Sequence, residues 1–422
     1  MDLNLSLMVN RRDFLGITLG VGATLALTPE LLRALHLQQQ GGKLIQRAIP
    51  STGERLPVIG LGFANHAGCA DPAALKDVLR TFVDNGGRVF DTQHQNDPKA
   101  QQATATIVNE LGVQNKLFLS LRGIPGGGGP GAPKPTPETE KAHFESLFSS
   151  LKVPKVDLVV GFPDTDPTYW TLLKEAKKEG RIRYLGTMVT SFGSYPRYES
   201  VMRNEPLDFI TVDYCIDRRG AEEKLLPLAQ ELKIAVLSFF PFGGANGASC
   251  VSDRGVFGRI GNRPLPDWAA EFDARTWAQF CLKYVVSHPA ITTVRVGTTK
   301  AAHMLDDIGG GIGRLPNEAT RKRMAELIES FPVAVPPQTL DRYVGEYKAA
   351  SGLTATFRRD GETLFVKSGT GAEAPLVART FTRFVDPRGS VFEFQLVGVG
   401  PATRTAGVIL EQGSQKIPLE RK

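Results

Sequence analysis

Asp91, His94, Asn96 and Arg122 are the side chains whose types and spacing could support chemistry on a small molecule. Asp91 ends the short apolar stretch RVFDT, and His94 and Asn96 follow it in a polar loop. Arg122 lies at the end of the next apolar stretch, KLFLSLRG. A carboxylate can hold a neighbouring cation, an imidazole can move a proton near neutral pH, and a guanidinium can bind an anion.

These residues can act together only if consecutive strands end side by side, and the sequence from about residue 56 to residue 329 predicts that arrangement. Short apolar stretches alternate with amphipathic ones such as PTYWTLLKEAKKEG. Continuous apolar stretches are typical of parallel strands that are buried on both faces. The predicted strands are LPVIGLGFA, RVFDT, KLFLSLRG, VDLVVGF, IRYLGTM, LDFITVDY, IAVLSFFPF and ITTVRVG.

This alternation predicts an α/β protein with a (β/α)8 TIM barrel over residues 43–330, in which ligands bind at the carboxyl ends of the strands. An open, doubly wound sheet is the structural alternative. It is disfavoured because no G-x-G-x-x-G fingerprint follows the first predicted strand, where the sequence reads GLGFANHAG.

The composition changes after a proline-rich linker at residues 331–338. The stretch LTATFRRDGETLFVKS has alternating apolar residues on both sides of Asp360 and Gly361, which predicts a β-hairpin. SVFEFQLVG and TAGVILEQGSQKIPLE continue the pattern. Residues 339–422 are therefore predicted to form a small antiparallel β domain. Its start, DRYVGEY, resembles the β domain appended to exported serine hydrolases of the penicillin-binding type.

The amino terminus resembles a twin-arginine export signal. Arg11 and Arg12 precede Phe14, Leu15 and a modest apolar stretch. Residues 1–40 are therefore predicted to be an export signal and linker, with an ordinary amphipathic helix as the alternative. We expect a periplasmic protein, or one tethered to the membrane through an uncleaved signal and facing the periplasm.

Charge and cysteine usage argue against two classes of function. The formal net charge is +6, and basic residues are interleaved with acidic ones, so no nucleic-acid partner is expected. The cysteines, Cys69, Cys215, Cys250 and Cys281, are far apart and form no C-x-x-C pair. No metal site is therefore predicted, and the expected partner is a small molecule.

The strand-end aspartate and the stretches KEGRIRYLG and LDFITVDY resemble the aldo/keto reductase family. The later stretch LPDWAAEFDARTWAQFCLKYVVSHPAITTVRVGTTKAAHMLDDI is similar to an exported, twin-arginine branch of that family. The resemblance extends over about residues 43–327. It implies a TIM barrel that binds NADPH across the strand ends and reduces carbonyl groups.

The family's catalytic tetrad is largely replaced in this sequence. The family uses a tyrosine as proton donor, a lysine held by an aspartate, and a histidine that orients the substrate. By the resemblance, Asp91 is the aspartate, whereas Asn96, Arg122 and Phe162 occupy the tyrosine, lysine and histidine positions. An amide is no general acid near neutral pH, and arginine stays charged. Arg122 is expected to pair with Asp91, and His94 is the candidate substitute acid.

The nicotinamide end of the implied cofactor site is also altered. Met188 and Val189 replace the polar step that holds the nicotinamide amide, and Thr211 replaces a glutamine. Phe239 occupies the position of the aromatic residue that stacks on the nicotinamide ring.

The adenine end resembles the family more closely. Gly297, Thr298 and Lys300 match positions suited to the 2′-phosphate of NADP(H). His303 replaces an arginine, and Asp307 replaces an asparagine. A carboxylate near bound phosphates is unfavourable unless it is neutralised.

Two functions follow from these residues. The first is an oxidoreductase that uses NADP(H) to interconvert carbonyls and alcohols. The second is a catalytically inactive barrel that serves as an exported small-ligand-binding protein. The second function is favoured by an apolar mouth lined by Phe162, Met188, Phe239 and Phe240.

Overall fold

The structure is a computed structural model that describes most of the chain after residue 41. The described ranges are 42–63, 70–92, 98–122, 136–189, 195–243, 255–397, 404–413 and 415–422. From Gly42 onward the chain forms one compact unit that contains two closed β-barrels. No helix in the described ranges is both long enough and apolar enough to cross a membrane.

The first barrel has eight parallel strands, as predicted. They are β3 (Ile59–Gly62), β4 (Val89–Asp91), β5 (Phe118–Arg122), β6 (Val156–Gly161), β7 (Ile182–Val189), β8 (Phe209–Asp213), β9 (Ala235–Phe239) and β10 (Ile291–Val296). Each strand pairs with the next, and β10 pairs with β3 to close the barrel. The short antiparallel hairpin of β1 (Gln46–Ala48) and β2 (Arg55–Pro57) precedes it. The closed ring excludes the open doubly wound sheet.

Helices separate the strands and cover the barrel. They are α1 (Pro72–Asp84), α2 (Pro98–Leu111), α3 (Pro137–Leu151), α4 (Pro167–Lys178), α5 (Tyr195–Asn204), α6 (Leu225–Glu231), α7 (Gly255–Ile260), α8 (Trp277–Ser287), α9 (Ala301–Gly309) and α10 (Glu318–Ser330). Short 3-10 helices lie at Gln114–Lys116, Gly220–Glu222 and Asp267–Phe272.

The helix ends follow local sequence signals. Thr136 caps α3 by accepting a hydrogen bond from the Thr139 main-chain N–H, and Asp166 caps α4 in the same way. Helix α1 ends before Gly86, whose φ of +84° is strained for other residues. Threonine, aspartate and glycine at these positions are residues typical of helix starts and stops.

The interior of the first barrel is apolar towards its amino end. Val89, Phe118, Leu158, Tyr184 and Phe209 pack together there with residues of the β1–β2 hairpin. The Phe118 and Tyr184 rings stack with centroids 5.8 Å apart. This packing closes the amino end of the barrel and leaves its polar residues at the carboxyl ends of the strands.

The second barrel confirms the antiparallel β domain and adds closure, which the sequence did not predict. Its strands are β11 (Gly345–Lys348), β12 (Thr354–Asp360), β13 (Thr363–Ser368), β14 (Ala374–Ala378), β15 (Arg383–Val385), β16 (Val391–Val397), β17 (Arg404–Gln412) and β18 (Gln415–Arg421). Consecutive strands pair, and β11 pairs with β18. The short helix α11 (Pro337–Leu340) precedes β11 and overlaps the end of the predicted linker.

Aromatic side chains fill the second barrel. Tyr343 stacks on Phe394 with centroids 4.2 Å apart, and Tyr347, Phe357 and Phe384 contact the same ring. All of these residues are buried. The interior is therefore a packed core, and the β domain has the architecture of a small filled barrel.

We predict that Phe394→Ala lowers the free energy of unfolding of the second barrel by about 3–5 kcal/mol, since it removes the ring shared by these contacts. Hydrogen exchange of peptides from residues 345–421, followed by mass spectrometry, measures the loss. Val377→Ala is the matched control, because Val377 is 50% exposed. Equal exchange in the two variants would contradict a core centred on Phe394.

Candidate functional site

A buried ion pair occupies the carboxyl end of the first barrel. Asp91, the last residue of β4, forms a salt bridge with Arg295 of β10. Asp91 is 2% exposed and Arg295 is 7% exposed. Arg122 was predicted as a partner of Asp91, whereas Arg295 was not among the predicted site residues. The available signal was an arginine within the otherwise apolar stretch ITTVRVG.

Gly62 makes the position of Arg295 sterically feasible. A Cβ atom added to Gly62 would lie 2.5 Å from the Arg295 Cδ atom. Strand β3 lies beside β10, so any larger residue at position 62 would collide with the arginine that reaches across to Asp91. Gly62, the second glycine of the predicted strand LPVIGLGFA, thus has a packing role in the site.

Arg122, at the end of β5, lies next to this pair. Burial lowers the pKa of its guanidinium to about 9, the Asp91 carboxylate raises that pKa, and Arg295 lowers it further. The group still carries its charge at neutral pH. Its Nη1 atom lies 3.3 Å from the Met188 Sδ atom. Asp91 is thus in electrostatic contact with the residue at the lysine position, while Arg295 forms the salt bridge.

Aromatic side chains adjoin the charged residues. The Arg295 Cζ atom lies 5.4 Å from the centroid of the Phe239 ring, which is 5% exposed. Phe239 makes an edge contact with Phe240, with centroids 4.9 Å apart. Phe240 has a φ of +57°, which is strained for a residue with a side chain. Phe162 and Met188 are half-buried at the ends of neighbouring strands.

Buried hydroxyl groups without hydrogen-bond partners lie in the same strands. Ser120 of β5 and Thr211 of β8 are fully buried, and neither hydroxyl has a hydrogen-bond partner in the part of the chain that the structure describes. Thr211 stands in register with Met188 and Leu237, which face the barrel interior. These hydroxyls offer hydrogen bonds inside the barrel in place of the family's glutamine.

The implied adenine end lies where β10 leads into α9. Gly297, Lys300 and His303 are exposed, whereas Thr298 is buried. The Thr298 hydroxyl accepts a hydrogen bond of 3.2 Å from the Lys300 main-chain N–H, so this side chain shapes the turn. Lys300 is the N-cap of α9 but provides no side-chain cap. The first N–H groups of α9 are therefore oriented to bind an anion.

Asp307 is buried at this end of the site. Burial raises its pKa well above the usual value, and the neighbouring Asp306 raises it further. Burial therefore disfavours the charged carboxylate at the position where the family has an asparagine amide.

Some of the predicted residues fall outside the described ranges. His94 and Asn96 belong to residues 93–97, and Cys69 and Cys250 are likewise not described. Cys215 and Cys281 are buried free thiols, and burial is the main cause that raises the pKa of each. Among the described residues, no group of histidine, cysteine, aspartate and glutamate could hold a metal ion.

We predict that Asp91→Asn lowers the free energy of unfolding by about 3–5 kcal/mol, because it leaves a buried guanidinium without its carboxylate. Urea denaturation of the full chain measures the loss. The control is Asp91→Leu combined with Arg295→Met, which removes both charges of the pair and should restore part of the stability, because the buried Arg122 keeps its charge. A double variant as unstable as Asp91→Asn would show that packing, and not charge, dominates.

We also predict that Asp307→Asn becomes progressively more stable than the natural chain as pH rises. A carboxyl group with a raised folded-state pKa contributes stability below its unfolded pKa and loses it as pH rises through the folded pKa. Each unit of the shift is worth about 1.4 kcal/mol. Urea denaturation between pH 4.5 and pH 8 measures the difference, with the exposed Glu362→Gln as control. A pH-independent difference would mean that Asp307 is ionised in the folded protein.

Comparisons with known proteins agree with the barrel fold. The family model described as "Aldo/keto reductase family" matches residues 58–321. The chain is 22% identical over 299 residues to "Probable aldo-keto reductase 1" from Glycine max, covering 62% of this chain and 82% of that protein. In fold it is similar to the aldo-keto reductase AKR11C1 from Bacillus halodurans (holo form), with a TM-score of 0.53, 18% identity, and coverage of 70% of this chain and 99% of that chain. Since the family model spans more than half of the sequence, the chain belongs to the aldo/keto reductase family.

Proposed function

We propose that this protein is an NADP(H)-linked oxidoreductase that interconverts carbonyl compounds and alcohols, with the Arg122 guanidinium at the position where the family uses a lysine. The observation that carries this proposal is the buried group of Asp91, Arg122 and Arg295 at the carboxyl ends of the strands. Positive charge at this position is suited to an oxygen atom that becomes negative during reduction.

The start of α9 supports the choice of cofactor. Lys300 and His303 are exposed there, the first N–H groups of the helix lack a side-chain cap, and burial raises the pKa of Asp307 and so disfavours a negative charge. These groups would hold the phosphate groups at the adenosine end of the cofactor. NADPH, when bound, supplies the hydride.

Arg122 has the main chemical role in this proposal. Its charge persists at neutral pH, and burial strengthens its attraction to an anionic oxygen. Asp91 and Arg295 fix its surroundings through their salt bridge. Arg122 would thus polarise the carbonyl group, and His94 is the proposed source of the proton.

A second candidate function is binding without catalysis. The observation that favours it is the position of Arg295, whose guanidinium lies over the Phe239 ring on which the family stacks the nicotinamide. The half-buried Phe162 and Met188 would then line a site for a small ligand. In this case the barrel fold persists while the redox chemistry is lost.

We further propose that the protein is exported with its cofactor already bound. Support comes from the twin-arginine pattern at Arg11 and Arg12, since that route carries folded proteins. A periplasmic enzyme would meet little free cofactor, so prior loading would be an advantage. Detection of NADP(H) in protein purified from the periplasm would support this proposal.

Titration of the protein with NADPH, followed by cofactor fluorescence, tests the proposed function. We predict that Lys300→Met weakens NADPH binding about tenfold, equivalent to about 1.4 kcal/mol, and leaves NADH binding unchanged. Lys348→Met is the matched control, because Lys348 is an exposed lysine of the second barrel. No binding of NADPH at millimolar concentration would exclude the oxidoreductase function.

A carbonyl-substrate screen then separates the two functions. In an oxidoreductase, Arg122→Met lowers kcat by about 100-fold or more and Arg122→Lys retains part of the rate, with the Kd for NADPH unchanged in both. The second function is favoured if NADPH binds but no carbonyl compound in the screen is reduced, while the natural chain still binds a small molecule.

A further inference from the structure

A cluster of arginine residues lies where the second barrel contacts the first. Arg219 follows β8, Arg259 lies on α7 after β9, and Arg379 belongs to the turn between β14 and β15. They surround Glu329, which lies in the last turn of α10. We call this cluster, together with Asp217, the seam. Because β8 and β9 lead into it, the seam lies on the carboxyl-end side of the first barrel.

Hydrogen bonds at the end of α10 hold the seam together. The Arg219 guanidinium forms a salt bridge with the Glu329 carboxylate. Arg379 donates a hydrogen bond of 3.4 Å to the Glu329 main-chain oxygen, and Arg259 donates one of 3.1 Å to the Phe331 main-chain oxygen. Each barrel thus contributes a cation to the negative end of the same helix.

Arg259 has donor atoms that these bonds leave unused. Its side chain is 4% exposed, and its Nε and Nη1 atoms have no hydrogen-bond partner among the described residues. The hydrogen bond to the Phe331 main-chain oxygen at the end of α10 uses only the Nη2 atom of Arg259. Unpartnered donors on a buried charged group are costly, and an anion or water that completes their hydrogen bonds is a common explanation for them.

The charges around Arg259 favour an anion. Burial is the largest cause that lowers the pKa of Arg259. The neighbouring Arg219 and Arg379 lower this pKa further, whereas Asp217 and Glu329 raise it. Three guanidinium groups thus face two carboxylates. The Glu329 carboxylate already binds Arg219, and Asp217 accepts a 3.0 Å hydrogen bond from the Cys215 thiol.

We propose that Arg219, Arg259 and Arg379 form a binding site for a small oxyanion, such as a phosphate or carboxylate group, at the seam between the two barrels. Guanidinium groups bind such anions through several charge-assisted hydrogen bonds. Arg219 and Arg379 are only partly buried, so their side chains give an anion access to the seam. A bound anion holds the β14–β15 turn against α10 and couples the barrels. This site is independent of the proposed oxidoreductase function.

Thermal unfolding of the full chain tests the site with inorganic phosphate as the probe, compared with sodium chloride at equal ionic strength. We expect phosphate to raise the Tm in a saturable manner, by about 2 °C or more. Arg259→Met abolishes this increment, and Arg379→Met removes at least half of it. The matched control is Arg358→Met, an exposed arginine on β12 paired with Glu373, which keeps the full increment.

The general salting effect of phosphate is common to all variants, so the difference between variants measures the site. A full increment in Arg259→Met, or no increment in the natural chain, would overturn the proposal. If Arg259→Met does not fold, the comparison of Arg379→Met with Arg358→Met decides. A parallel titration with succinate shows whether carboxylates bind as well as phosphate.

Discussion

The buried salt bridge between Asp91 and Arg295 is the constraint on which the candidate site depends. A charge inside a barrel is costly unless a partner of opposite sign lies in contact with it. The pair connects β4 with β10, on either side of β3. It requires a glycine at position 62, determines the electrostatic surroundings of Arg122, and brings a guanidinium over the Phe239 ring. The site therefore has a charge arrangement that differs from the family's catalytic tetrad.

Because of this charge arrangement, membership of the family does not by itself determine the chemistry of the site. The barrel and the family match describe the scaffold, whereas the chemistry depends on the groups at the strand ends. A tyrosine tuned by a lysine can donate a proton, while an arginine can stabilise negative charge but gives up its proton reluctantly. Asp307 shows the opposite case, since burial raises the pKa of this carboxyl group and so disfavours the charge that distinguishes it from the family's amide. Substitutions alone therefore do not define what the site can do.

The second barrel adds a further structural constraint. Its interior is filled with aromatic rings, so its contribution to function must come from its surface. Arg379 contacts the end of α10 beside segments that follow β8 and β9. The turn between β14 and β15 thus connects the second barrel with the face of the first barrel on which ligands of this fold bind.

The sequence alone determined the order of the strands, the barrel class and the antiparallel character of the second domain, because periodicity and turn residues are local properties. It also identified Asp91, Arg122 and Phe239 as strand-end residues. Only the tertiary structure decided that Asp91 pairs with Arg295, since closure of the barrel brings together residues 204 positions apart. The same holds for the raised pKa of Asp307 and the closure of the second barrel. Partner choice and burial depend on distances in space, which no local pattern encodes.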